Sequence, residues 1–177
     1  MKDFMQLCLE RQSCRSFSDQ PVEHEKLVKC VEAARLSHSG CNAQPWSYVI
    51  VENPEIVEQI AVLSQQIGLN AFTSKAKAFA IVLEEHAILI SRIRCMIDSQ
   101  YFAKFDLGST VAYFCLEAQE QGLGTCILGL YDRDKIKALA GIPQEKMFSS
   151  LIAIGYPAEE TAREKVRKPM EEIVRYV

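Results

Sequence analysis

The sequence has no long hydrophobic run. Its longest purely apolar stretch, Ala78 to Leu83, falls far short of the roughly 20 residues that a membrane-crossing helix needs. It has no excess of cations either: 20 Lys and Arg stand against 23 Asp and Glu, a net charge of −3, which argues against a general nucleic-acid binder. The first residues, Met1 to Gln6, interrupt their apolar members with charge and show no secretory core or cleavage site, so a cytoplasmic protein is expected. The cysteines (Cys8, Cys14, Cys30, Cys41, Cys95, Cys115 and Cys126) are odd in number, and no two form a C-x-x-C pair. That pattern excludes a zinc knuckle or dithiol motif and fits a reducing compartment, with most thiols acting as small buried hydrophobes. Three scattered histidines, His24, His38 and His86, give no metal site by spacing, and none is expected. With 8 Gly, 6 Pro, 49% hydrophobic and 24% charged residues, the chain is neither disordered nor fibrous. Its 177 residues suit one domain.

Familiar catalytic signatures are missing too. The chain has no Gly-x-Gly-x-x-Gly, no Gly-x-x-x-x-Gly-Lys-Ser/Thr, no Gly-x-Ser-x-Gly and no His-Glu-x-x-His. It offers no evident nucleophile or metal of its own, so an enzymatic reaction here would be carried by a bound organic cofactor.

Apolar periodicity predicts helices at residues 3–10, at 24–36, from Pro54 to about Ile67, from Asp106 to Gln121 and at 133–140. Strands are expected at 47–51, 78–83, 125–130 and 150–154, with the stretch from 84 to 99 the hardest to divide. Gly122-Leu123-Gly124 reads as a helix stop. After a basic stretch from Ala162 to Lys168, residues 173–177 turn strand-like again with little of the chain left to pair with, and adding to the sheet edge of a second subunit answers that.

Four segments could carry chemistry. In Arg11-x-Ser13-x-Arg15, alternate residues of an extended segment would point two guanidinium groups and a hydroxyl one way, an arrangement suited to phosphate. A solvated basic loop is the bland alternative. In the segment from Ser39 to Trp46, Asn42 and Gln44 carry amides that can read the edge of a heterocycle, or the stretch is only a turn into a strand. The run from Gly122 to Gly129 places a glycine after a strand, where a flat ligand could approach the backbone; a helix cap and a buried strand explain it equally. Lys165-Val166-Arg167 repeats the alternate-cation pattern, or is an exposed charged tail.

Taken as an ordered set, these segments make the chain resemble the FMN-dependent nitroreductase family over nearly its full length. The resemblance rests on Arg11/Ser13/Arg15, Ser39/Asn42/Gln44/Pro45/Trp46, Asp106/Gly108, Gly122/Leu123/Gly124/Thr125 and Lys165/Arg167. It implies an α+β fold, with a central mixed sheet flanked by helices, forming an intertwined homodimer. Residues 1–177 would be a single FMN-binding domain, of which 163–177 form a basic tail and terminal strand reaching the partner. Arg11, Lys165 and Arg167 would hold the FMN phosphate, and Gln12, Ser13 and Arg15 its phosphate, ribityl or pyrimidine end. Ser39, Asn42 and Gln44 would reach the flavin of the other subunit. Ile127, Leu128 and Gly129 would line the isoalloxazine, with a backbone N–H of Leu128 or Gly129 near N5. Asn70, placed by counting back from the 78–83 strand, would contact the pyrimidine.

The implied activity is ping-pong transfer from NADH or NADPH through flavin N5 to a small organic acceptor such as a nitro compound or quinone. No side chain would act as a catalytic residue, and Arg15 would stabilise the reduced flavin. His38 stands where the family often has proline, Leu128 where one branch has an acidic residue, and the span from Glu84 to Asp106 is short for the family's pocket-shaping excursion. A flavin-consuming or dehalogenating enzyme, or a non-catalytic flavoprotein, would share the cofactor residues. A thiol sensor using Cys14 or Cys41 is the rival from another class.

Overall fold

The computed structural model describes residues 3–88, 90, 98–159 and 162–177. Its centre is a sheet of β1 (Trp46–Val51), β2 (Ala78–Glu84), β3 (Gly124–Leu128) and β4 (Met147–Gly155), in the order β1-β2-β4-β3. All three ladders are antiparallel; a parallel element enters only as the isolated bridge from Ser13 to Thr125, along the outer side of β3. The expected central sheet flanked by helices is present, but its strands pair antiparallel where a mixed sheet was expected. The helices are α1 (Phe4–Glu10), α2 (His24–Arg35), α3 (Pro54–Leu63), α4 (Ser99–Glu120), α5 (Arg133–Leu139) and a single turn α6 (Met170–Ile173).

The alternation of β2 assigns its two faces. Phe79, Ile81 and Leu83 point into the cluster shared with Val57, Ile60 and Ile136 of α3 and α5. Ala78, Ala80 and Val82 point the other way, where Leu27, Cys30 and Ala34 of α2 meet Leu107, Val111 and Phe114 of α4. The small β2 side chains let the helix pair sit close, and each fully buried large residue contributes about 1.5–3 kcal/mol. Thr110 Oγ1 donates to Ala34 O (2.9 Å) and meets Tyr48 Oη at 3.1 Å, tying α4, α2 and β1 together without an orphaned polar atom.

Two helix boundaries depart from the periodicity. The fourth helix starts at Ser99, not Asp106, because Asp98 caps it: its Oδ1 accepts from the N–H groups of Gln100 (3.0 Å) and Tyr101 (3.1 Å). Asp106 lies two turns inside. The third helix stops at Leu63 instead of near Ile67, since Ile67 and Gly68 take left-handed conformations (φ +50° and +77°) and two 3₁₀ turns, Gln66–Gly68 and Ala71–Lys75, follow. Half of the difficult stretch from 84 to 99, namely 89 and 91–97 with Cys95, lies outside the described residues.

The expected strand at 173–177 is not formed within the chain. Ile173 closes the helical turn α6, and Val174 is extended (φ −130°, ψ 141°) without a ladder partner among the described residues. Both sheet edges explain this: β3 is covered by Ser13, and β1 lies on the far side from the tail's anchorage on residues 11–13.

Candidate functional site

The predicted residues fall into three groups. The first gathers at the outer edge of β3. The Ser13–Thr125 bridge, with Cys14 N–H donating to Thr125 O (2.8 Å), holds residues 11–15 extended beside the strand. The C-terminal tail then returns to the same segment. Lys165 Nζ donates to Arg11 O (2.6 Å), and the Arg163 guanidinium donates to Gln12 Oε1 (3.1 Å) and Ser13 O (2.8 Å). A groove of about 820 Å³, lined in part by Gln12, Ser13, Arg15, Gly124, Tyr156 and Arg163, opens there, within the usual size of a small-molecule site.

Charge is what distinguishes this edge. Partial loss of water around Lys165, with Arg11, Arg167 and Arg163 beside it, holds its ammonium below the ordinary lysine value. Among the described residues no carboxylate forms an ion pair with Arg11, Arg15, Arg163, Lys165 or Arg167. Glu10 and Glu159 also line the groove, but cations crowded together and not ion-paired suit an anion. Arg163 was missed in the sequence; the alternation of Lys165 and Arg167, carried two residues further back, would have found it.

The second group is the strand exit. Ile127 is 46% exposed between the buried Cys126 and Leu128, an apolar surface in the middle of a strand. A Cβ placed on Gly129 would meet nothing within 4 Å, so a flat ligand can approach its backbone. Leu128 is only 4% exposed, packed in the core, and the site can use only its main chain. Asn70, itself left-handed (φ +59°), donates from Nδ2 to Ser64 O (3.0 Å) and Leu130 O (3.2 Å), stapling the turn after α3 to this exit.

The third group, Ser39, Asn42 and Gln44, lies elsewhere. Its turn, Gly40–Asn42, sits against Asp106 and Phe102 of α4, whereas Arg11 is near Cys115, nine residues or about 13 Å further along that helix. Among the described residues no hydrogen bond or ion pair links Ser39, Asn42 or Gln44 to Arg11, Ser13 or Arg15. Cys41, Asn42 and Gln44 all have positive φ (53°, 55° and 48°). A left-handed residue other than glycine costs roughly 1–2 kcal/mol, least for Asn, and such strain gathers where geometry is used. Ser39 Oγ accepts from Gln44 N–H (3.0 Å), so this hydroxyl already shapes the turn.

The buried thiols are quiet. Burial pushes Cys14, Cys126 and Cys115 up, outweighing the neighbouring Arg163, Arg15 and Arg11, and pushes Cys30 up to about 12. No helix among the described residues is long and apolar enough to cross a membrane.

Comparison with known proteins shows the family and the fold. The chain is 26% identical to an oxygen-insensitive NADPH nitroreductase of Helicobacter acinonychis, covering 97% of this chain and 95% of that one. It is 25% identical to an iodotyrosine deiodinase of Thermotoga neapolitana, covering 99% and 98%. An Exiguobacterium sibiricum protein solved in complex with FMN superimposes with a TM-score of 0.84 over 100% of this chain and 98% of that one, at 20% identity. The family model for nitroreductases matches residues 8–156, and the chain belongs to the nitroreductase family.

Proposed function

We propose that the protein is an FMN-dependent oxidoreductase that draws reducing equivalents from NADH or NADPH and passes them to a small organic acceptor by a ping-pong mechanism. The observation that carries the reading is the cluster of Arg11, Arg163, Lys165 and Arg167 at the edge of β3, none of them ion-paired to a carboxylate among the described residues. It fits a phosphate dianion, and the exposed Ile127 with the open backbone at Gly129 fits a flat ring within reach of the same strand. Bound FMN would supply hydride acceptance and release.

The chain's own groups bind and tune. Arg11, Lys165 and Arg167 hold the phosphate, and Arg163 holds the 11–13 segment in place. Arg15, exposed and beside Cys126, supplies positive charge for the electron-rich form of the ring. Asn70 fixes the exit of β3 through its bonds to Ser64 and Leu130.

A homodimer completes this reading. Tyr101 and Phe105 of α4 and Phe4, Met5 and Leu9 of α1 are exposed, an amount of apolar surface that a second subunit would cover. The turn at 40–44 then meets the partner's cofactor, and residues 173–177 add to the partner's sheet, whose β1 edge is unpaired among the described residues. Residues 1–177 act as one such domain, with 163–177 as the crossing tail.

The test is the visible absorbance of the FMN-loaded protein before and after anaerobic addition of NADH and then NADPH. Bleaching within seconds is the expected result and names the donor. A retained flavin that neither donor bleaches refutes the oxidoreductase and favours a non-catalytic flavoprotein. A protein that takes up no FMN refutes the cofactor assignment. Turnover on nitroaromatics, quinones and halogenated phenols then separates a reductase from a dehalogenase, the reading favoured by the likeness to the Thermotoga neapolitana deiodinase.

A further inference from the structure

Asp106 is a buried carboxylate with no ion pair among the described residues. Only 5% of it is exposed, and its one hydrogen-bond partner among the described residues is the N–H of Gly40, which donates to Oδ2 (3.1 Å) and Oδ1 (3.3 Å). A desolvated carboxylate filled by a single donor is costly to keep, and a residue kept at such a cost calls for a use beyond packing.

Its position supplies that use. Gly40 opens the turn in which Cys41, Asn42 and Gln44 are all left-handed. Beyond it, the turn closes on itself: Ala43 N–H donates to Gly40 O (3.0 Å), Gln44 N–H to Ser39 Oγ (3.0 Å) and Gln44 Nε2 to Asn42 O (3.2 Å). Main-chain contact with the sheet resumes only at Pro45, whose carbonyl accepts from Glu85 N–H (3.0 Å). Gly40 also lies flat against Phe102: a Cβ there would stand 2.9 Å from the ring's Cε1 and 3.1 Å from Cδ1. A strained turn is thus pinned to α4 at one amide, by a charge-assisted bond on one side and an aromatic ring on the other.

We propose that Asp106 is a positioning residue: through Gly40 N–H it holds the 41–44 turn, left-handed at Cys41, Asn42 and Gln44, in the shape that presents Asn42 and Gln44 to the flavin. The proposal rests on the FMN reading above. It assigns a role to the one buried acidic residue of α4's inner face that the binding site itself does not use.

The experiment compares wild type, Asp106→Asn, Asp106→Leu and Gly40→Ala for FMN affinity, thermal stability and amide hydrogen exchange across residues 40–45. Asp106→Asn keeps a carbonyl oxygen for Gly40 and is expected to hold FMN affinity near wild type. Asp106→Leu and Gly40→Ala are expected to speed exchange in the turn and to weaken FMN binding by roughly tenfold or more, the scale of a lost hydrogen bond to a charged group. Gly40→Ala leaves the α4 core intact, so the test survives if Asp106→Leu folds poorly. Unchanged exchange at 40–45 in both overturns the clamp. Faster exchange with unchanged FMN affinity, while Arg11→Ala weakens FMN binding, overturns the positioning role and leaves the cofactor reading standing. A wild-type protein that takes up no FMN overturns both.

Discussion

Arg11→Ala separates a binding charge from a structural one, because the two predict opposite effects. Among the described residues the Arg11 side chain makes no hydrogen bond or ion pair; only its main chain is used, accepting from Lys165 and donating to Leu7. It stands close to Lys165, whose ammonium is held below its ordinary value partly by that neighbour. A lysine so depressed disfavours the folded state while it is charged, so its handicap is present at neutral pH and fades as pH rises through the lowered value. Removing Arg11 lifts part of that handicap, and the apoprotein should melt at the same temperature or higher at low salt. FMN binding should move the other way. Losing one charge-assisted bond to phosphate costs about 1.5–3 kcal/mol, or roughly 10- to 150-fold in affinity. The gap between variant and wild type should narrow as salt shortens the screening length from about 10 Å at 0.1 M to about 3 Å at 1 M. Titrating free FMN fluorescence with each apoprotein at both salt concentrations, beside thermal melts, reads every term. An affinity within roughly threefold of wild type at low salt, below about 0.7 kcal/mol, removes Arg11 from the phosphate site. A large fall in apoprotein melting temperature shows that the side chain was holding the fold.

Gly129→Ala is the apolar counterpart: its new Cβ meets no protein atom within 4 Å, so stability should hold within about 0.5 kcal/mol while FMN affinity falls. Equal FMN affinity in that variant, by the same titration, places the ring elsewhere. Thiol labelling followed by peptide mapping should modify the exposed Cys41 in the native protein and spare Cys14, Cys30, Cys115 and Cys126 until it unfolds; rapid native labelling of Cys14 would revive the thiol-sensor reading. His24 bonds Glu52 (2.9 Å to Oε2), which raises its pKa, so its contribution to stability is present below about 6.5 and disappears as pH rises through the raised value. Melting wild type and His24→Gln across that interval should show the two curves converge on the alkaline side; a constant offset would mean the pair does not titrate as described.

What could be read in advance was what a residue's own type and spacing determine. The run from Ala78 to Leu83 is apolar on both faces and too short for an interior helix, so β2 was legible. The alternation of Arg11, Ser13 and Arg15 suggests an extended segment, and the structure holds it beside Thr125. The start of α4 was not legible because residues 99–105 carry Tyr101 and Phe105 on the side away from the core, which blurs the 3.6-residue pattern that begins cleanly only at Leu107. The left-handed turns at 41–44 and 67–70 were hidden for a related reason: Cys, Gln and Ile do not ask for positive φ, and only contacts made elsewhere impose it. Asp106 shows the limit most clearly. In a sequence, an aspartate ahead of an apolar helical repeat reads as a cap, since capping is the usual local use of its carboxylate. Its burial, and a partner amide 66 residues away, exist only once α4 has packed against the loop before β1. A local signal of the right kind can therefore name a residue as important while assigning it the wrong task, and the task has to be read from what the group touches.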